Sequence, residues 1–129
     1  MTYNRETYLA KQKAEAIARN KPIKAYANHS GWSDVRPYEV IEVRTENKVV
    51  IRKMNVERKE GWKPEFVSGG FAGHCINNEN QHSAWDITSD KNGREVTIRF
   101  SKAKCQWQDK HGNRYFMSDE PVYHYDFNF

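Results

Sequence analysis

His74 and Cys75 stand side by side at the end of a glycine-rich run, Ser68-Gly69-Gly70-Phe71-Ala72-Gly73. Three of the chain's seven glycines fall within five residues there. Glycine admits positive φ and close approach, so the cluster marks a tight turn or a place where something packs on bare backbone. Successive N–H groups exposed in such a loop can cradle an anion. The run lacks the Lys-Ser/Thr pair of a phosphate-binding P-loop and the strand–helix setting of a dinucleotide fingerprint. Asn77, Asn78, Asn80, Gln81 and His82 follow, a polar stretch able to hydrogen-bond a base, a sugar or a protein backbone. Adjacency does not make His74 and Cys75 a nucleophile dyad, because catalytic partners meet in space.

Two further blocks carry usable side chains. Gly31-Trp32-Ser33-Asp34 reads as a side-chain-closed turn. Such a turn either anchors Trp32 in the fold or presents it for stacking, with Asp34 and Arg36 beside it for polar contacts. At the far end, His124-Tyr125-Asp126-Phe127-Asn128-Phe129 alternates polar and aromatic residues. On a strand, Tyr125, Phe127 and Phe129 share one face, which completes a core, while His124, Asp126 and Asn128 share the other. That second face aligns an imidazole, a carboxylate and an amide, a set suited to binding and usable in acid–base chemistry. No CxxC or HxxxH pair exists to nucleate a zinc site, and no cofactor is expected.

These groups need elements to position them. Asn4 or Thr2 can cap a helix from about Arg5 to Arg19, built on Ala10, Ala14, Ala16 and Ala18 and stopped by Asn20 and Pro22. From Pro22 onward the period changes to two. Tyr38–Arg44 and Lys48–Met54 read as a hairpin around Thr45-Glu46-Asn47. Glu57–Pro64 reads as an exposed loop with Gly61 and Pro64 as breakers. Ala84–Thr88 leads through the turn Asp90-Lys91-Asn92-Gly93 into Val96, Ile98 and Phe100. Cys105 and Trp107, a turn at Lys110–Asn113, and Arg114–Met117 follow, and residues 122–129 close the sheet. The expected fold is α+β and mainly β: an N-terminal basic helix (1–24) and one β-rich domain (25–129), a small antiparallel SH3-like barrel or a strongly bent sheet.

Composition bounds the function. The 129 residues are 37% hydrophobic with a mean hydropathy of −1.00, so the core must be small and rest on aromatics. No apolar run has the length of a membrane span, no secretory h-region precedes the body, and Cys75 and Cys105 are expected as free thiols. The net charge of +4 lies on residues 1–24, where Arg5, Lys11, Lys13, Arg19, Lys21 and Lys24 face only Glu6 and Glu15. The remainder balances fifteen basic against fifteen acidic residues. A basic helix of this kind, with Lys11, Lys13 and Arg19, can contact phosphate or an acidic protein surface.

The blocks Trp32–Pro37, Ser68–His74 and the basic strand pair ending in His124–Phe129 resemble a group of small bacteriophage and mobile-element proteins, over roughly residues 30–129. The resemblance implies a protein made in the cytoplasm of a bacterial host and transfers no catalytic residues. Three functions follow as expectations. The first is a non-enzymatic phage accessory protein that binds a host protein or protein–nucleic-acid complex as an anti-defence (anti-CRISPR-like) inhibitor, acting as a monomer or homodimer. Its contacts would be the basic helix, Trp32, Asp34, Arg36, Gly69, Gly70, Phe71 and His74. The sequence pI of about 9.1 argues against DNA mimicry, which needs an acidic surface. The second is a nucleic-acid-binding barrel that stacks bases on Trp32, Trp62, Phe71 and Trp85 beside Arg36, Arg52, Lys53, Arg58 and Lys59. The third is a nucleotide-binding or nucleotide-degrading protein using the glycine loop and the histidines: binding needs Arg side chains and backbone N–H groups gathered onto phosphates, and degradation needs His74, His124 and Asp126 close together.

Overall fold

The structure, a computed structural model, describes residues 4–67, 74–75, 77, 81 and 84–126. A helix, α1 (Arg5–Asn20), precedes ten strands: β1 (Tyr26–Ser30), β2 (Val35–Thr45), β3 (Lys48–Lys53), β4 (Asn55–Arg58), β5 (Phe66–Val67), β6 (His74–Cys75), β7 (Trp85–Thr88), β8 (Glu95–Ser101), β9 (Gln106–Gln108) and β10 (Arg114–Ser118). Six of them close into an antiparallel barrel in the order β1-β10-β9-β8-β3-β2. Two small two-stranded sheets, β4-β7 and β5-β6, stand outside it. The mainly β architecture with a small barrel and an N-terminal helix is therefore the one the sequence predicts.

Period-two alternation fills the barrel. Ala27, Tyr38, Val49, Ile51, Ile98, Phe100, Trp107 and Tyr115 form the buried cluster. Its aromatics meet edge to face, Tyr38 on Tyr115 and Phe100 on Trp107, both at 5.6 Å between ring centroids. Such pairs add about 0.5–1.5 kcal/mol each beyond the area they bury. Few residues thus supply a core to a polar chain.

The helix begins where Asn4 Oδ1 accepts the Thr7 N–H at 2.8 Å. None of its residues is buried, and Tyr8 and Leu9 are about half exposed. It is fixed at its C-terminal end: Ile17 packs against the core, the Trp107 indole N–H donates to the Asn20 carbonyl, and the Asn20 amide donates to the Cys105 carbonyl.

Three points of local pairing correct or extend the sequence reading. Ala84–Thr88 does not pair with the strand after the Asp90–Gly93 turn; β7 pairs with β4, and β8 pairs with β3. Between Arg52↔Glu95 and Asn55↔Thr88, three steps on one side face seven on the other, so four residues are looped out of one long ribbon. The turn does form, with Gly93 N–H on the Asp90 carbonyl at 3.0 Å. It is a bulge of the ribbon rather than its end. Secondly, part of the Glu57–Pro64 loop belongs to β4, which runs to Arg58. Thirdly, the C-terminal segment does not close the sheet: His124 forms a single bridge to Val35, while β1, hidden in a polar stretch, joins β2 to β10. Phe127, Asn128 and Phe129 lie outside the described residues.

Candidate functional site

A register row running across the barrel gathers cations that are far apart in sequence. Lys48 on β3 faces Arg99 on β8, Arg99 faces Gln108 on β9, Gln108 faces Arg114 on β10, and Arg114 faces Ser30 on β1. Lys48, Arg99 and Arg114 each precede a core residue, namely Val49, Phe100 and Tyr115. Because successive side chains on a strand alternate faces, all three cations stand on the outer surface. Neighbouring strands lie roughly 4.8 Å apart, so the row from Lys48 to Arg114 follows about 14 Å of the curved barrel wall.

Hollows follow this row. An open concavity of about 800 Å³ is lined by Arg44, Lys48, Arg94, Arg99, Lys110 and His111, together with Phe100. Its carboxylates are Glu95 and Asp109. A second hollow, of about 390 Å³, shares Gln108 with the first and is lined by Trp32, Lys104 and Arg114. A third, of about 190 Å³, shares Gln106 and Arg114 with the second and reaches Arg19 on α1. The two smaller hollows carry no acidic lining residue. Together the three form one basic tract from the end of α1 to the β2–β3 hairpin.

The tract's cations are mostly uncommitted. Among the described residues, Lys48, Arg99, Lys104, Lys110 and Arg114 form no ion pair, and only Arg44 is paired, with exposed Glu42 at 3.3 Å. Asp109 is occupied internally. Its carboxylate accepts from His111 N, Asn113 N, Asn113 Nδ2 and the Tyr115 hydroxyl at 2.8–3.0 Å. Burial acts to raise its pKa, and these hydrogen bonds outweigh it, so the acid stays below its ordinary range. Tyr115 moves the other way: burial, then the hydrogen bond to Asp109 and its charge, push the phenol up and keep it a neutral donor. Asp109 thus shapes the β9–β10 turn, where Gly112 adopts φ +83°, and that turn places Lys110 and His111 at the rim.

Trp32 borders the second hollow and is 93% exposed, so it does not anchor its loop in the fold. The turn that carries it is held by other groups. Gly31 N–H donates to the Asp34 carbonyl at 2.9 Å, and Val35 and His124 exchange backbone hydrogen bonds. The Asp126 N–H donates to Asp34 Oδ1 at 2.8 Å. Arg36 is exposed on β2, opposite His29. Lys11 and Lys13 are exposed on α1 and line none of the three hollows. His74 contributes backbone to β6, whereas Gly69, Gly70 and Phe71 lie outside the described residues.

Several residues expected to serve a nucleic-acid surface are placed elsewhere. Arg52 is bound to Glu39 at 2.6 Å, and Lys59 is 3.9 Å from Asp86. Trp62 meets Trp85 at 6.0 Å between ring centroids, and Trp85 meets Tyr123 at 4.6 Å. The Trp85 indole donates to the buried Gln81 side chain, which also holds the backbone of Tyr125. Gln108, Lys48, Arg99, Lys104, Lys110 and Arg114 were not singled out by sequence reading. Their one signal is a polar residue flanking an apolar strand position, which becomes a site only once the register is known.

Among the described residues there is no group of three or more His, Cys, Asp or Glu placed to hold a metal, and no helix long and apolar enough to cross a membrane. Compared with known proteins, the chain matches no family model, no curated protein and no solved structure.

Proposed function

We propose that this protein is a non-enzymatic binding module that holds nucleic acid against the basic face of its barrel. The observation that carries the reading is the row Lys48–Arg99–Gln108–Arg114, where unpaired cations line connected hollows that run around the barrel wall of a body that is neutral in sum. Phosphate contacts from Lys and Arg supply most of the affinity in sequence-independent binding. Glutamine and serine in the same row add donors for sugar or phosphate oxygens.

The phage resemblance supplies the setting for this reading. In the cytoplasm of a bacterial host, the strand would belong to the phage or to a nucleoprotein effector complex of the host's defence. Occluding such a complex is the anti-defence role, and the basic tract is the surface that would do it.

Fluorescence anisotropy with a labelled mixed-sequence oligonucleotide tests the reading. Arg99→Thr removes the central cation from an exposed strand position. It is expected to weaken binding by about an order of magnitude at low salt. Undiminished affinity, or no binding by the parent protein, would sink it.

A further inference from the structure

We infer, resting on the nucleic-acid reading above, that the bound strand is single and that Trp32 is the platform on which one of its bases stacks. Tryptophan is highly buried on average, because its ring offers a large apolar area. Here the ring is 93% exposed, at the tip of the turn between β1 and β2. The other tryptophans have ring partners: Trp107 meets Phe100 in the core, Trp62 meets Trp85, and Trp85 meets Tyr123.

The turn that presents Trp32 is tied down at several points. Gly31 bonds Asp34, Asp34 bonds Asp126, and Val35 bonds His124. A ring held on a fixed backbone loses only its own side-chain freedom on binding, which favours a preformed platform. Position supplies the rest. The same hollow holds Trp32, Lys104, Gln108 and Arg114, so a flat apolar face stands beside cations at the end of the basic row.

That combination is complementary to a single strand. An unpaired base offers an open π face, and its flanking phosphates reach the cations. A duplex presents the same phosphates, but its bases are already stacked and paired. An acidic peptide would satisfy the cations and leave the ring without a base. Followed around the barrel wall from Ser30 to Lys48, the row crosses four inter-strand gaps, roughly 19 Å of arc, a path for a short strand at the lower end of the 4–16 nucleotides that one small barrel covers.

Three labelled probes of equal length separate the terms: oligo(dT), a deoxyribose-phosphate oligomer without bases, and a duplex. All are measured by anisotropy at about 50 mM salt. The parent protein is expected to bind oligo(dT) roughly tenfold more tightly than the abasic oligomer, the size of one stacked base. Trp32→Ala should remove that advantage and leave abasic binding unchanged, while Trp32→Phe should restore most of it. Circular dichroism should be the same for all three proteins, because the ring touches no described aromatic. Equal affinity for oligo(dT) and the abasic oligomer, or a Trp32→Ala variant that binds oligo(dT) as the parent does, overturns the stacking inference. If all probes still weaken together on Arg99→Thr, the nucleic-acid reading survives that loss. Absence of binding to any probe removes both.

Discussion

Lys48 and Arg99 face each other directly across β3 and β8, and neither has an ion-pair partner among the described residues. Like charges at directly opposed strand positions are destabilising, by a few tenths to about 1 kcal/mol. The arrangement therefore works against folding while it concentrates positive charge on the barrel wall. Arg99→Thr, which should weaken nucleic-acid binding, should also raise the thermal midpoint; a lowered midpoint with unchanged affinity would make the pair a structural feature. Two rows along β3 the balance reverses. Glu39 accepts from Arg52 at 2.6 Å and from the Ser89 hydroxyl at 2.8 Å. Burial acts to raise the Glu39 pKa, but the hydrogen bonds from Arg52 and Ser89 and the charge of Arg52 outweigh it, so the folded value lies below the ordinary one. A lowered folded pKa stabilises the protein above the unfolded value, roughly pH 4.3, and this contribution is lost as pH falls through the folded value. Glu39→Gln should therefore melt lower at neutral pH and lose less on acidification between about pH 5 and pH 3. Asp109, whose pKa is also lowered, leaves the variant part of the slope. Parallel melting curves against pH for parent and variant would contradict the assignment.

The long ribbon formed by β3–β4 and β7–β8 depends on how its four looped-out residues fold back. A Cβ on Gly93 would lie 2.1 Å from the Lys53 carbonyl oxygen and 3.0 Å from that of Asp90. Lys53 N–H donates to the Arg94 carbonyl at 2.9 Å, so the two backbones are held at that distance. Gly93→Ala forces them apart and should destabilise by roughly 1–3 kcal/mol, the cost of overpacking a site that cannot give. Chemical denaturation would measure it, and a loss below a few tenths would mean the bulge yields freely. This element also marks how far sequence carries. The β2–β3 hairpin was legible because Tyr38 and Val40, then Val49 and Ile51, are spaced two apart on either side of a short polar turn. Asp90–Gly93 reads equally well as the end of a hairpin or as a bulge, since the local chemistry of the turn is the same. Only the partner strands decide, and β3–β4 lies more than thirty residues away. Strand β1 was missed because Asn28, His29 and Ser30 look polar. Yet Asn28 is fully buried, donating to the Phe116 carbonyl and Ser118 Oγ and accepting from Val122 N–H. Trp32 was legible as a residue to watch, and its exposure was not. The basic row was invisible, since Lys48, Arg99 and Arg114 become neighbours only through register.

At the scale of the molecule, net charge and charge placement point to different binding surfaces. The sum assigns the excess of +4 to residues 1–24, which would make α1 the phosphate-binding element. The fold instead draws Arg44, Lys48, Arg94, Arg99, Lys104, Lys110 and Arg114 from the neutral body into connected hollows along the barrel wall and adds only Arg19 from the helix. Salt dependence separates the two. If about five of these cations meet phosphates of a single strand, log K should fall against log salt with a slope of roughly −3.5, and affinity should drop about a hundredfold between roughly 50 and 200 mM. Removing one contact with Arg99→Thr should flatten the slope by about 0.7. Lys11→Gln combined with Lys13→Gln should leave it unchanged, because those residues line none of the hollows. The reverse pattern, with the helix pair flattening the slope and Arg99 having no effect, would move the phosphate site to α1. The barrel row would then be a charged surface without a ligand. A slope shallower than about −1 in the parent protein would argue against phosphate contact on either element, since each engaged phosphate contributes about −0.7.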